Sequence, residues 1–215
     1  MTITYVLMQN LKRNPLRMSL TAVAFALPMA VFVAAISFVV TLAELAAHNE
    51  QELRLGVHHR TTLTNTLPEG HRRKIEGLDP NRERLSAVCG MRWFGGRVPN
   101  EQNTLTSLAA DPDTFPLVYS DTSMQPEEIE AWNKDRQACV VGTSPALNYG
   151  WEVGDRVTLE STVPPYLALE FHIVKIIQNK ERANFFWFRR DYLVESLKEE
   201  GINDERCNIF WVKCK

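Results

Sequence analysis

MSLTAVAFALPMAVFVAAISFVVTLA, Met18 to Ala43, is 26 residues long and contains no charged side chain. At about 1.5 Å of rise per residue, a helix of that length more than covers a hydrocarbon layer of about 30 Å. The run reads as a transmembrane helix. Pro28 sits inside it; a bilayer span tolerates such a residue because local adjustments satisfy the freed carbonyl, and a kink is expected there. The apolar region of a cleaved signal peptide is usually about 7 to 15 residues and ends at a small-x-small site. This run is longer, and its exit, Leu42-Ala43-Glu44-Leu45-Ala46-Ala47-His48, has no clear site of that kind. An uncleaved anchor is therefore expected.

Charge orients the span. Lys12, Arg13 and Arg17 precede it with no acidic residue before Glu44, so residues 1–17 carry +3 while the whole chain carries -2. By the positive-inside rule the N-terminus stays cytoplasmic and residues from Glu44 onward are translocated. Within 1–17, Ile3, Leu7 and Leu11 recur at i, i+4 and i+8 opposite Gln9, Lys12 and Arg13, the pattern of a basic amphipathic segment lying on the cytoplasmic face; a disordered basic lead-in is the alternative. The domain reading is thus 1–17 cytoplasmic segment, 18–43 transmembrane helix, and 44–215 outward domain.

The remainder has a globular balance. Of 215 residues, 45% are hydrophobic and 23% charged, which excludes a disordered or collagenous chain. A net charge of -2 argues against nucleic acid, whose backbone demands many Lys and Arg contacts.

Beyond the span the pattern turns into short strands and a few helices. Glu44 to Glu52 continues the spanning helix, Leu53 to Thr64 reads as a strand, and Leu67-Pro68-Glu69 opens a short helix ending at Gly77. Strands are expected over Leu85 to Val98, broken at Gly95-Gly96, and over Leu105 to Ala110, followed by a turn at Asp111-Pro112-Asp113. Pro126-Glu-Glu-Ile-Glu-Ala-Trp132 places proline and acids in a helix's first turn. Ala138 to Val141 is a buried-type strand. Thr143 or Ser144 then caps a short helix that ends at a left-handed Gly150. Val153-Gly154-Asp155 turns into the strand Arg156 to Glu160, whose partner, Leu169 to Gln178, reads as buried on both faces. Asp191 to Glu200 is a helix stopped by Gly201, and Asn208 to Val212 a final strand. The fold class is α+β: one N-terminal transmembrane helix and a mixed α/β outward domain.

The motifs of chemistry are incomplete. Cys89, Cys139, Cys207 and Cys214 form no C-x-x-C pair, so no metal site is read. On one strand Cys207 and Cys214 would face opposite ways, which favours free thiols over a disulfide. His58 and His59 are adjacent and face opposite sides. His71-Arg72-Arg73-Lys74 reads as a solvated helix face. Gly90 to Gly95 has the glycine spacing of a phosphate loop without its Lys and hydroxyl. Gly142-Thr143-Ser144-Pro145-Ala146 lacks the second glycine of a nucleophile elbow. Phe185-Phe186-Trp187-Phe188, followed by Arg189-Arg190, is expected to bury one face and expose the other; Trp93-Phe94 and Phe210-Trp211 are read in the same way. No catalytic, cofactor-binding or metal-binding residue is assigned, and no cofactor.

One resemblance spans essentially the whole chain. Asn10-Leu11-Lys12-Arg13-Asn14-Pro15-Leu16-Arg17 runs into one span and an outward domain with Leu63-Thr64-Asn65-Thr66-Leu67-Pro68, Trp93-Phe94-Gly95-Gly96, Ala131-Trp132, Val140-Val141-Gly142 and, most specific, Gly150-Trp-Glu-Val-Gly-Asp-Arg-Val-Thr-Leu159. This succession resembles the N-terminal half of an ABC transporter permease of the MacB-like, FtsX type, with its periplasmic core domain. The resemblance implies a non-enzymatic subunit in the cytoplasmic (inner) membrane, its main domain periplasmic or extracellular. A separate cytoplasmic ATPase drives it, and it pairs with a second copy or with the remaining permease half. A periplasmic adaptor is a further implied partner. Family permeases carry three more spans after this domain, which lie outside this sequence; a fragment, a split gene product and a truncated reading frame are the alternatives. A single-span sensor or ligand-binding module is the competing functional reading.

Overall fold

The computed structural model describes residues 15–51 and 53–215, with side chains described for 15–44 and 53–215. The basic segment expected at 1–17 lies outside the described residues as far as residue 14. The chain divides after His48 into two compact units.

The first unit is dominated by one helix, α1, Pro15–Gln51, which runs through Pro28 without interruption. Its stretch Pro15–Glu44 is long and apolar enough to cross a membrane, with a mean hydropathy of 2.6 over its most apolar 18 residues and every residue exposed. Three of its four hydroxyls are satisfied within the helix. Ser19 Oγ donates to Leu16 O, Thr21 Oγ1 to Arg17 O and Thr41 Oγ1 to Ser37 O, each at 2.9 Å. Hydroxyls bonded to their own backbone ask nothing of a hydrocarbon surround.

The second unit is built on a nine-stranded mixed sheet. Its strands are β1 Arg54–His58, β2 Leu85–Trp93, β3 Gly96–Arg97, β4 Thr106–Ala110, β5 Ala138–Gly142, β6 Arg156–Ser161, β7 Ala168–Ile177, β8 Phe185–Arg189 and β9 Ile209–Cys214, in the spatial order β1-β9-β2-β4-β8-β5-β7-β6-β3. Pairing is antiparallel except at β4/β8 and β5/β7. The far end of the sheet does not stay open. Leu105 N donates to Gly96 O at 2.7 Å and Phe94 N to Ser107 O at 3.0 Å, so β3 returns to the entry of β4 and that half of the sheet curls on itself.

Helices cover the sheet: α2 Gly70–Glu76, α3 Phe115–Val118, α4 Pro126–Lys134, α5 Thr143–Tyr149 and α6 Arg190–Glu199. Proline at the start of α4 and a reciprocal capping box between Gln125 and Glu128 set its N-terminus. Gly150 ends α5 at φ 67° and Gly154 turns at φ 100°, both as expected.

Three apolar clusters hold the domain. Phe94, Phe171, Phe186 and Phe188 form the centre of the first, with Leu193 and Leu197 of α6 beneath them. Their rings meet edge-on or tilted, at centroid distances such as 5.2 Å for Phe94–Phe188 and 4.6 Å for Phe171–Phe188. On the opposite face, Trp187 packs with Phe115, Tyr119 and Trp132. Leu67, Val88, Cys207, Phe210 and Val212 form the third.

Several expectations change. Phe186, Trp187 and Phe188 are all fully buried, because β8 lies mid-sheet with cover on both faces; the exposed face expected there does not exist. β7 does the reverse in its first half, where Leu169, Phe171 and Ile173 are buried while Ala168 and Glu170 face outward, since only one side is covered. The first strand stops at His58, well short of Thr64. Cys207 lies outside β9, paired with Leu67 in an isolated bridge, so the same-strand argument about Cys207 and Cys214 does not apply. All four cysteines are free thiols. The cap of α5 is Gly142, with no side-chain capping bond from Thr143 or Ser144. A Cβ at Gly142 would stand 2.2 Å from Ala183 O, and Ser144 N donates to that same carbonyl at 2.9 Å. The glycine serves this close backbone approach and no nucleophile.

Candidate functional site

A polar cleft of about 510 Å³ lies where the Asp111-Pro112-Asp113 turn, the start of α6 and residues 69–72 and 205 converge. Arg72, Arg189 and Arg190 meet five carboxylates there: Glu69, Asp111, Asp113, Asp191 and Glu205. Arg72 belongs to the tetrad expected to be a solvated helix face, and in the structure it turns inward. Its Nε donates to Glu69 Oε1 at 2.5 Å, its Nη1 to Val88 O at 3.2 Å, and its Nη2 pairs with Asp111 Oδ2. Arg190 Nε grips the other Asp111 oxygen, and its Nη1 donates to Glu205 O at 2.8 Å. Gly90 N donates to Asp111 Oδ2 at 2.5 Å. A Cβ at Gly90 would stand 2.9 Å from that carboxylate and 2.7 Å from Cys207 Sγ. The glycine spacing that mimics a phosphate loop therefore exists, at its first position, to admit Asp111.

Arg189 is equally committed. It forks on to Asp191 at 3.1 and 2.7 Å, and its Nη1 donates to Trp132 O and Asn133 O at 2.8 and 2.6 Å. A guanidinium has five N–H groups, and these contacts occupy most of them. The three arginines are committed to Glu69, Asp111, Asp191 and backbone carbonyls, and the network ties α2, the β2–β4 region and α6 together.

A His–Asp pair lies elsewhere, on β7. His172 Nδ1 is 3.0 Å from Asp135 Oδ2 and its Nε2 is 3.1 Å from Gly154 O. In a catalytic arrangement the second nitrogen would face a Ser or Cys. Here it faces a backbone carbonyl. Among the described residues no group of His, Cys, Asp and Glu is arranged to hold a metal ion. Burial pushes the Cys89 and Cys207 thiols up to about 12 and raises Cys139 well above its ordinary value, so none of the three is a ready nucleophile.

The second built feature is a charge clamp at the start of β1. Arg54 forks on to Asp121 at 2.6 and 2.9 Å, and Arg182 Nε reaches Asp121 Oδ2 at 3.2 Å. The three side chains are 0%, 5% and 7% exposed for Arg54, Asp121 and Arg182. Both guanidiniums lie over the Tyr119 ring, 4.5 and 5.1 Å from its centroid. Arg54 is the only buried residue of β1. The clamp therefore holds the first residue of the strand, while the rest of that strand is exposed. No sequence motif marks it; three residues far apart in the chain meet only through the topology.

No protein-family model matches the sequence, and no curated protein does. Among solved structures the chain is similar to the periplasmic region of MacB from Actinobacillus actinomycetemcomitans, at 10% identity and a TM-score of 0.45, over 76% of this chain and 75% of that one. It is also similar to the extracellular domain of the noncanonic ABC-type transporter YknZ from Gram-positive bacteria, at 11% identity and a TM-score of 0.44, over 75% of this chain and 82% of that one.

Proposed function

We propose that the chain is the membrane-anchored, outward-facing portion of an ABC transporter permease of the MacB-like, FtsX type. In this reading α1 crosses the cytoplasmic membrane with residues 1–17 inside, and the α+β domain couples ATPase-driven motion to export or extraction of a substrate without catalysis of its own. One architectural observation carries the proposal. A helix whose stretch Pro15–Glu44 is long and apolar enough to cross a membrane stands in the same chain as a mixed α/β sheet domain.

The charge network supports the same reading over a ligand-binding module. Its three guanidiniums are already paired with Glu69, Asp111 and Asp191, so an anionic ligand entering the 510 Å³ cleft would have to break ion pairs to be recognised. As the resemblance implies, the ATPase contact is assigned to a further membrane half. Co-purification of the cognate ATPase should be weak with this chain alone and strong when a three-span permease segment is present. Equal recovery in both would contradict this division of labour.

A further inference from the structure

β1 is the open end of the sheet, since the opposite end folds back through Gly96 and Leu105. Exposed edges are usually blunted by proline, lysine, a bulge or a covering helix. β1, Arg-Leu-Gly-Val-His, carries none of the first two, pairs with β9 in unbroken register, and is exposed from Leu55 to His58. Leu55 and Val57 share one face and are 61% and 37% exposed. The single strong cation of the strand, Arg54, is spent inward on Asp121. No exposed arginine or lysine on this edge repels an identical one.

We propose that β1 pairs antiparallel with β1 of a second copy of this chain, about a two-fold axis at Gly56, joining the two sheets edge to edge. The register follows from the hydrogen bonds. Cys214 N donates to Leu53 O at 2.8 Å, so Leu53 and, at the two-residue period, Leu55 and Val57 turn their main-chain groups toward β9. Gly56 and His58 turn theirs outward. With Gly56 opposite Gly56, Leu55 of one copy stands opposite Val57 of the other, apolar against apolar on one face. The glycine puts no side chain at the axis.

Area decides that the partner is a co-anchored copy. Two exposed apolar side chains on a five-residue strand fall well short of the about 800 Å² per partner of a stable soluble dimer. The apolar stretch of α1 is itself entirely exposed, and Ala22, Ala26, Ala30 and Ala34 recur on it at four-residue intervals, which lets helices approach closely in a bilayer. Two copies anchored in one membrane meet at a high effective concentration, so a weak edge suffices. The inference rests on reading α1 as an anchor; membrane fractionation of the same samples tests that reading separately.

The test is oxidative cross-linking of the full chain in native membranes with copper phenanthroline. Leu55→Cys and Val57→Cys chains, carrying different tags, are co-expressed. A Leu55–Val57 pair places Cα atoms about 4.5 Å apart, within disulfide reach, whereas Leu55–Leu55 and Val57–Val57 lie about 8 Å apart, beyond it. The mixture should give at least about tenfold more tagged heterodimer than either variant alone gives homodimer, and His58→Pro in both chains, which removes an outward N–H, should abolish the excess. Equal yields in all three samples, no cross-linked dimer, or cross-linking to a different protein would each overturn the proposal. Recovery of the chain in the soluble fraction would instead overturn the anchor.

Discussion

Removing the carboxylate from the clamp at the start of β1 tests the energetic core of the account. Asp121 is 5% exposed and neutralises Arg54, which is 0% exposed, while also receiving a bond from Arg182. Asp121→Asn keeps the volume and removes the charge. Both guanidiniums then lose the carboxylate they share, and breaking a buried pair in this way costs about 3–5 kcal/mol. Against a typical domain stability of about 5–15 kcal/mol, that is about a fifth or more of the total. An exposed pair gives the internal comparison: Arg156–Glu170, with side chains 71% and 47% exposed, should be worth less than about 1 kcal/mol when Arg156 is replaced by Ala. Urea unfolding of the micelle-bound chain reports on both, because all five tryptophans lie in the α+β domain and Trp187 is 5.7 Å from the Tyr119 ring under the clamp. Amide exchange should place the largest loss of protection in β1 and β9. A cost below about 1 kcal/mol for Asp121→Asn, with β1 protection unchanged, would refute the reasoning.

Two glycines separate steric from conformational demand. Gly142→Ala must displace the Ala183 backbone and should cost more than about 2 kcal/mol, whereas Gly150→Val meets open space and pays only left-handed strain, about 1–2 kcal/mol; melting curves that rank them the other way contradict both assignments. Acid should act through Asp204, held down at about 2 chiefly by its bond from Arg206, against an ordinary 3.8. A depressed carboxylate stabilises above its ordinary value and loses that contribution as pH falls from about 4 to about 2; the loss is at most about 2 kcal/mol because Arg206 is exposed, and Arg206→Ala should remove most of it in urea titrations at pH 5 and pH 2.5. Native-state alkylation with iodoacetamide at pH 8 should modify half-exposed Cys214 and spare Cys89, Cys139 and Cys207; labelling of any buried thiol at the rate of Cys214 would contradict the burial described.

Local signals in the sequence translate directly into the structure. The uncharged run from Met18 to Ala43, the Pro126 helix start and the left-handed Gly150 each depend on neighbours within a few residues, and each is where the chain itself places it. The failures share the opposite property. Phe185 to Phe188 could not declare two buried faces, because that depends on β8 lying between β4 and β5, one parallel and one antiparallel neighbour drawn from separate parts of the chain. Arg72 looks like one member of a basic run until the turn at Asp111 is brought against it. The clamp of Arg54, Asp121 and Arg182 is invisible for the same reason: an arginine reads as exposed unless its remote partner is known. What the sequence hides is long-range pairing, and the buried charge of this domain consists of little else.

The account stands or falls on which side of the membrane the domain occupies. A reporter that fluoresces only in the cytoplasm, fused after Lys215 of the full chain, addresses this directly, with the same reporter before Met1 as the positive control. The account predicts a bright N-terminal fusion and a dark C-terminal one, both in the membrane fraction. A bright C-terminal fusion at equal expression would place the α+β domain inside the cell and contradict the proposed role.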